Sequence, residues 1–218
     1  MTPDALVAPD LHAFVRANLP APPARVLEIG AGDGNLARTL DGAGYEVLAI
    51  DPQPGGANVR ASRLHELDEP SAAFDAAVAV VSLHHVEPLA ESLRRLASLL
   101  APDAPLLIDE FDVGAFDRRA AEWWLEQRRT LGAEGAATAD ELVAQHRLHL
   151  HSLDEILAAL DPYFEVGTPV RGAYLYRWDL DGSFRLPEEA AIAQGGIPAV
   201  GARAVARRLP VSGRAGRP

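Results

Sequence analysis

An apolar run that leads into three alternating glycines is the feature that most constrains the fold of this chain. Arg25–Ile29 carries the apolar and β-branched residues that predict a strand, and glycines follow at positions 30, 32 and 34. Leu36, Ala37 and Leu40 then have the spacing of an amphipathic helix. Glycine allows a sharp turn and lets bare backbone approach a ligand. The segment therefore predicts a strand, a tight loop and a helix in succession.

The alternation of strands and helices continues along the chain. Apolar runs predict strands at Tyr45–Ile50, Ala76–Val81 and Leu106–Ile108, and helical spacing predicts a helix at Leu89–Leu100. This order is typical of an α/β fold with a doubly wound, mostly parallel sheet and helices on both faces. Later segments predict a helix at Leu153–Leu160 and strands at Tyr163–Val166, Tyr174–Trp178 and Val200–Arg208.

The pattern suggests one main domain with additions. We predict an N-terminal helix (9–19) and linker within residues 1–23, a main domain at 24–208 and a flexible tail at 209–218. A helical insertion at about 112–150 interrupts the main domain, with helices at 116–131 and 138–147. Trp123 and Trp124 have the spacing of this insertion's core, and a pocket wall is the alternative.

Composition excludes several classes of function. The 218 residues carry a net charge of −11, which is unlike a nucleic-acid binder, because phosphate neutralisation needs a basic surface. The chain contains no cysteine, so disulfides and thiolate metal sites are excluded, and we expect no metal. The sequence shows no secretory signal and no apolar stretch of about 20 residues, so we expect a cytoplasmic protein without membrane contact. We also expect a monomer or a homodimer.

The glycine loop and Asp51 together predict a nucleoside site. Asp51 ends the second predicted strand, where a doubly wound sheet binds ligands and a carboxylate can accept hydrogen bonds from a ribose diol. The spacing is G-x-G-x-G, and Asn35 stands where a dinucleotide fingerprint has its third glycine. Asp33 and Glu28 add negative charge, which disfavours a pyrophosphate and favours a ligand with a cationic tail.

These motifs resemble those of class I S-adenosylmethionine-dependent methyltransferases. Glu28 and the three glycines match the first motif of that family, and Asp51 matches its ribose-binding acid. Phe74–Val81 resembles the fourth-strand motif, and Leu99–Ile108 resembles the turn and fifth strand. The resemblance implies a seven-stranded sheet whose last strand is antiparallel, and we assign that strand to Val200–Arg208.

The resemblance also implies the cofactor, S-adenosyl-L-methionine, with S-adenosyl-L-homocysteine as product. An acid before the fourth strand is expected to contact adenine; Glu66 is the first choice by its distance from Phe74, and Asp68 is the alternative. The expected cofactor-binding residues are Glu28, Gly30, Ala31, Gly32, Gly34, Asp51, Pro52, Glu66, Leu67 and Ser82.

Histidines supply the candidate chemistry. The segment Ser82–Val86 resembles small-molecule methyltransferases of the quinone-biosynthesis type, and His84 or His85 is expected to act as a base or to position the acceptor. The alternative is that one histidine packs under the cofactor and the other caps the next helix. His146, His149 and His151 are expected to be solvated or capping residues, although one could reach the pocket from the insertion.

Two further clusters have structural interpretations. Aromatic residues alternate at Tyr174, Tyr176 and Trp178, as in sheet packing, although this region often borders the acceptor site in the resembled family. Arg203, Arg207 and Arg208 predict a solvated basic strand end, with a phosphate or carboxylate site as the alternative.

The predicted function is methyl transfer from S-adenosylmethionine to a small-molecule acceptor, at an oxygen, nitrogen or carbon atom that the sequence does not identify. The alternatives are an NAD(P)-dependent oxidoreductase and a methyltransferase-like binding subunit without catalysis. The loop spacing argues against the first alternative, and the intact Glu28, glycine loop and Asp51 argue against the second.

Overall fold

The computed structural model describes residues 11–133, 135 and 137–210. Within these residues the strands are β1 (Arg25–Ile29), β2 (Glu46–Asp51), β3 (Arg60–Ala61), β4 (Ala76–Val80), β5 (Pro105–Phe111), β6 (Phe164–Val166), β7 (Val170–Gly172) and β8 (Gly201–Arg208). The α-helices are α1 (Leu11–Asn18), α2 (Asn35–Gly42), α3 (Leu89–Leu99), α4 (Arg118–Thr130), α5 (Ala139–His149), α6 (Leu153–Leu160) and α7 (Arg185–Ala193).

The strands form one sheet in the order β3-β2-β1-β4-β5-β8-β6, and β7 also pairs with β8. The pairs from β3 to β5 are parallel, whereas β8 runs antiparallel to β5, β6 and β7. The doubly wound sheet and its antiparallel strand near the end of the chain are therefore confirmed. The described sheet has 8 strands rather than the expected seven, because β3 and β7 span only two and three residues and leave no sequence pattern.

The predicted strand at Tyr174–Trp178 is wrong. The segment contains a short 3₁₀ helix at Leu175–Arg177. The backbone N–H groups of Tyr174, Leu175 and Tyr176 all donate to the carboxylate of Glu188, at 2.7–2.9 Å. Because a buried side chain on α7 satisfies these amides, no neighbouring strand is needed.

Helices cover both faces of the sheet. Leu93 and Leu96 of α3 and Ile156 of α6 pack on one face, whereas Val15 of α1 and Leu36 of α2 pack on the other. A fully buried side chain of this type contributes about 1.5–3 kcal/mol. This packing fixes the carboxyl ends of β1, β2 and β4 relative to one another.

The segment between β5 and α6 forms a helical cap, made of α4 and α5. Phe116 and Trp124 of this cap pack in one buried cluster with Leu175 from a later segment, so Trp124 is a core residue of the insertion as predicted. The indole Nε1 of Trp124 donates to the carbonyl oxygen of Trp178 at 2.7 Å. None of the described helices is long and apolar enough to cross a membrane. Most of the predicted tail, residues 211–218, lies outside the described residues.

Candidate active site

The glycine loop joins β1 to α2 at the carboxyl end of the sheet. The N–H groups of Gly30 and Ala31 both donate to the carbonyl oxygen of Ile50, at 2.9 and 3.0 Å. Gly30 has φ +68°, and a Cβ atom there would lie 2.3 Å from Cβ of Ser82. Only glycine allows this approach between the ends of β1 and β4. The hydroxyl of Ser82 then donates to the carbonyl oxygen of Ile29 at 2.7 Å.

Asp51 is held rigidly beside this loop. Its Oδ2 accepts a hydrogen bond from the N–H of Gly32 at 3.0 Å, and its Oδ1 accepts one from the N–H of Gln53 at 2.7 Å. A carboxylate has about four acceptor sites, so each oxygen retains capacity for one more donor. The half-buried Asp51 is therefore oriented to accept a pair of hydroxyl groups.

The N-terminus of α2 is already occupied by a carboxylate of the same chain. Oδ1 of Asp33 accepts a hydrogen bond from the N–H of Asn35, the first residue of α2, at 3.0 Å. In dinucleotide-binding sheets the pyrophosphate occupies this position. The Asp33 carboxylate therefore places a negative charge where a pyrophosphate would lie and disfavours its binding.

Glu28 lies beneath the loop and does not line the cleft described below. It is 4% exposed, and its Oε2 has no hydrogen-bond partner in the described part of the chain. Burial raises the pKa of Glu28 to about 7. Glu28 is thus buried beneath the glycine loop, outside the lining of the cleft, and its part in cofactor binding stays a prediction.

A cleft of about 490 Å³ opens in front of these residues, and we call it the glycine-loop cleft. Among the residues predicted to bind the cofactor, Gly30, Asp51, Pro52 and Ser82 line it, together with His85. Ala31, Gly32 and Gly34 form the loop behind this lining. A Cβ atom on Gly34 would lie 2.6 Å from the side chain of Asn58, so this glycine is required for packing.

The structure does not bring Glu66 and Leu67 to the cleft. The side chain of Glu66 is 61% exposed and pairs with His65 at 3.6 Å, while Leu67 is 1% exposed within the core. The alternative, Asp68, is exposed and does not line the cleft either. From this segment of the chain, Ser62, Arg63 and Leu64 line the glycine-loop cleft instead. The 3₁₀ turn at Leu64–Glu66 directs Leu64 inward. The sequence prediction rests only on the number of residues between Glu66 and Phe74, and this number does not reveal the turn.

His84 and His85 follow β4 and differ in their surroundings. His84 is 4% exposed, and its Nδ1 lies 2.5 Å from Oε2 of Glu110 at the end of β5. The other oxygen of Glu110 accepts the N–H groups of Ser82 and Leu83, at 2.9 and 2.6 Å. Sequence reasoning missed Glu110, although an acidic residue at the end of a buried strand was a signal. His85 is exposed and borders the cleft.

A second cavity of about 280 Å³ adjoins the glycine-loop cleft, and His85 and Val81 border both. We call it the aromatic pocket. Its other lining residues include Phe111, Tyr174, Trp178, His146 and His149. Two of the three cap histidines therefore reach the pocket, whereas His151 pairs with Glu87 at 2.9 Å. No group of three metal-ligating side chains occurs among the described residues.

The pKa values near the pocket shift in line with burial. Although His85 is exposed, partial desolvation of its ring, with a smaller contribution from the neighbouring His84, lowers its pKa below the usual 6.5. Burial also raises the pKa of Tyr174 to about 12. At neutral pH the pocket therefore holds a neutral imidazole at His85 and a neutral phenol at Tyr174.

The arginines of β8 lie apart from this pocket. The side chain of Arg203 is only 11% exposed and pairs with the buried Asp109, so the solvated interpretation is wrong for Arg203. Arg177 pairs with the same aspartate. Arg207 is exposed, as predicted.

Comparison with known proteins agrees with this arrangement. Residues 5–161 match the family model described as a methyltransferase domain. The chain belongs to this methyltransferase family. The ubiquinone biosynthesis O-methyltransferase of Xanthomonas campestris pv. campestris is similar to this family member, with 34% identity over 113 residues, which are 44% of this chain and 46% of the relative. The matched region thus spans about half the length of that relative.

Solved structures share the fold of this methyltransferase-family protein. An S-adenosylmethionine-dependent methyltransferase from Mesorhizobium loti aligns with a TM-score of 0.60 and 22% identity, over 95% of this chain and 100% of its own. The 1,6-didemethyltoxoflavin-N1-methyltransferase of Burkholderia thailandensis, solved with bound 1,6-didemethyltoxoflavin and S-adenosylhomocysteine, aligns with a TM-score of 0.52 and 22% identity, over 92% of this chain and 75% of its own.

Proposed function

We propose that this protein transfers the methyl group of S-adenosylmethionine to a small-molecule acceptor. The observation that carries the proposal is the adjacency of two cavities: the glycine-loop cleft and the aromatic pocket share His85 and Val81 in their linings. A nucleoside-binding cleft beside an acceptor-sized pocket is what a two-substrate transfer requires. The name of the Xanthomonas relative is consistent with a small-molecule acceptor.

The residues of the cleft fit S-adenosylmethionine. Asp51 is oriented to accept two hydroxyl groups, as the ribose of a nucleoside offers. The Asp33 carboxylate at the start of α2 disfavours a pyrophosphate and tolerates a ligand with positive charge. When bound, S-adenosylmethionine supplies an electrophilic methyl group carried on a positively charged sulfur. Asp51, Gly30, Pro52 and Ser82 would hold it.

His85 is the residue we assign to proton removal. It borders both cavities, and its lowered pKa keeps it unprotonated at neutral pH. A general base of this kind contributes typically about 10²–10⁴-fold to a rate. His84 acts as a positioning residue, since its Nδ1 is engaged by the buried Glu110. Its ring centroid lies 4.2 Å from that of His85, and this contact restricts the His85 ring.

The rival functions give different binding results. A nicotinamide-dependent oxidoreductase would bind NADH in preference to S-adenosylhomocysteine. A binding subunit without catalysis would bind the cofactor and release no product. We favour a small molecule over a nucleic acid as acceptor because the net charge of −11 opposes phosphate binding.

A calorimetric titration tests the proposal. S-adenosylhomocysteine should bind the full chain, and Asp51→Ala should weaken binding by about 1.5–3 kcal/mol, the scale of hydrogen bonds to a charged group. Asp41→Ala removes an exposed carboxylate of α2 and serves as the matched control. Tighter binding of NADH than of S-adenosylhomocysteine, or equal affinity in the wild type and Asp51→Ala, would contradict the proposed function.

A further inference from the structure

A third cavity, of about 270 Å³, lies between α1, β7, β8 and α7, and we call it the arginine cavity. Its described lining includes Arg177, Arg185 and Arg203. It shares no described lining residue with the glycine-loop cleft or with the aromatic pocket. The proposed methyl transfer therefore gives this cavity no role.

Two of the three arginines share a single carboxylate. Nη1 of Arg177 donates to Oδ1 of Asp109, and Nε of Arg203 donates to Oδ2, both at 2.5 Å. Asp109 is 3% exposed. Arg185 pairs separately with Glu189 at 2.8 Å, so the charges of that pair balance. Because one aspartate offsets only one of two guanidinium charges, the wall of the cavity keeps an excess of one positive charge.

Glu110, the remaining acid of the described lining, does not offset this charge. Neighbouring side chains on a strand point to opposite faces of the sheet, so Glu110 is directed away from the face that carries Asp109. Its carboxylate accepts the N–H groups of Ser82 and Leu83 and contacts His84. It is also 0% exposed. The excess positive charge is therefore available to a ligand.

Arg203 also holds a buried donor without a partner. Its Nη1 is removed from solvent and has no hydrogen-bond partner in the described part of the chain. The guanidinium carbon lies 5.5 Å from the centroid of the Phe14 ring, and the contact with Asp109 fixes the other side. A buried charged group with an unsatisfied donor is costly. An acceptor oxygen of a ligand would remove this cost.

We propose that the arginine cavity binds a small monocarboxylate anion, at a site separate from that of methyl transfer. The carboxylate accepts a hydrogen bond from Nη1 of Arg203 and lies beside Arg177, as charge-assisted pairing favours. Its single negative charge matches the single excess positive charge. A phosphate group carries more than one negative charge at neutral pH, which would leave repulsion from Asp109 uncompensated. Leu11 and Val170 offer apolar surface to a short alkyl chain.

An NMR titration of the arginine side-chain Nε–H resonances of the full chain tests the proposal. Butyrate is the probe, butyramide is its uncharged analogue and inorganic phosphate tests the number of charges, all at constant ionic strength. We expect butyrate to bind saturably in the millimolar range and to shift the resonance of Arg203. Butyramide should bind at least about tenfold more weakly, the scale of a hydrogen bond to a charged group. Phosphate should bind more weakly than butyrate.

Variants assign the binding to Arg203. Arg203→Lys keeps a positive charge near Asp109 but removes Nη1, and should weaken butyrate binding about tenfold. Arg207→Lys makes the same change at an exposed position of β8 and should leave binding intact. Asp109→Asn removes the shared carboxylate and should strengthen butyrate binding, whereas a general loss of structure would weaken it. Melting temperatures show which variants are folded, and the wild-type titrations stand without them.

A carboxylate of the chain itself is the other source of the same chemistry. Asp4 and Asp10 precede Leu11 and lie outside the described residues. If butyrate bound to Asp4→Asn or Asp10→Asn but not to the wild type, the cavity would serve that side chain, and the proposed ligand would be wrong.

Four further results would overturn the proposal: no saturable butyrate binding, equal binding of butyramide, tighter binding of phosphate, or unchanged affinity in a folded Arg203→Lys variant. S-adenosylhomocysteine should bind without displacing butyrate. Displacement would place the anion in the cofactor's site and would also overturn the proposal. Failure of S-adenosylhomocysteine to bind, with butyrate bound as expected, would count against the proposed function alone.

Discussion

Nδ1 of His84 lies 2.5 Å from Oε2 of Glu110, and both side chains are almost completely removed from solvent. The same carboxylate binds the two backbone amides that follow Val81. Glu110 therefore fixes both the backbone after β4 and the ring that packs against His85. One buried acid at the end of β5 links the glycine-loop cleft to the aromatic pocket.

Glu110→Gln tests this link. The amide oxygen can still accept from Ser82 and Leu83, but these hydrogen bonds lose their charged acceptor, and the NH₂ group faces Nδ1 of His84, whose ring must then take the tautomer in which Nδ1 accepts. Because hydrogen bonds to charged groups contribute about 1.5–3 kcal/mol, we expect the free energy of unfolding to fall by about 1–3 kcal/mol. Urea denaturation measures it. Glu122→Gln, at an exposed site on α4, should change stability by less than about 0.5 kcal/mol. Equal stability of the two variants would rule out the proposed role of Glu110.

His85 should titrate below an ordinary histidine. Partial desolvation, with smaller contributions from His84 and His146, lowers its pKa below 6.5 against an opposing effect of Glu110. The imidazole is therefore mostly neutral at pH 7 and becomes protonated in more acidic solution. We expect the single-turnover rate with an identified acceptor to be constant near neutrality and to fall only below pH 6.5. Histidine NMR resonances measured against pH, assigned with His85→Gln, report the pKa independently. A His85 pKa above 6.5 would be inconsistent with its assignment as the base.

Glu28 predicts a pH dependence of stability in the cofactor-free protein. Its pKa is raised from 4.5 to about 7, so the folded state holds a proton more tightly than the unfolded chain does. The resulting stabilisation is complete below pH 4.5 and is lost as the pH rises through about 7, amounting to at most about 3 kcal/mol. Glu28→Gln should therefore be more stable than the wild type at pH 8.

Urea unfolding at pH 5 and pH 8 measures this difference. Glu126→Gln on the exposed face of α4 is the control and should leave the pH dependence unchanged. If Glu28→Gln showed the same loss between pH 5 and pH 8 as the wild type, Glu28 would not be the titrating group.

Gly30→Ala should disrupt the cleft by steric conflict. The new Cβ would lie 2.3 Å from Cβ of Ser82, and the residue would keep a φ near +68°. Gly132→Ala is a matched control, because Gly132 has φ +78° and no heavy atom within 4 Å of the added Cβ. Backbone strain alone costs about 1 kcal/mol in each variant. We expect a clearly larger loss of stability, and loss of S-adenosylhomocysteine binding, only in Gly30→Ala, as measured by thermal unfolding and calorimetry.

The parts of the site that sequence predicts are those set by local pattern. The strand at Arg25–Ile29, the glycine loop and Asp51 lie within one strand–helix–strand unit, and the structure places them together. The strand prediction at Tyr174–Trp178 is wrong because its amides bind Glu188, a residue on another helix. No local pattern encodes such a contact.

The remaining differences have separate causes. The sequence prediction places Glu66 by its distance from Phe74, whereas the short 3₁₀ turn at Leu64–Glu66 leaves its side chain exposed. Glu110 was missed because its partners lie 26–28 residues earlier in the chain. His146 reaches the aromatic pocket only because α5 folds over the sheet.

A crystal structure of the full chain with S-adenosylhomocysteine tests the central claim most directly. We expect the two ribose hydroxyls to donate to the carboxylate of Asp51, and the sulfur to face the segment Ser82–His85, where the two cavities meet. Two results would contradict the proposed methyl transfer at this site. One is electron density for the ligand in another cavity, and the other is a ligand in the glycine-loop cleft whose sulfur points away from His85.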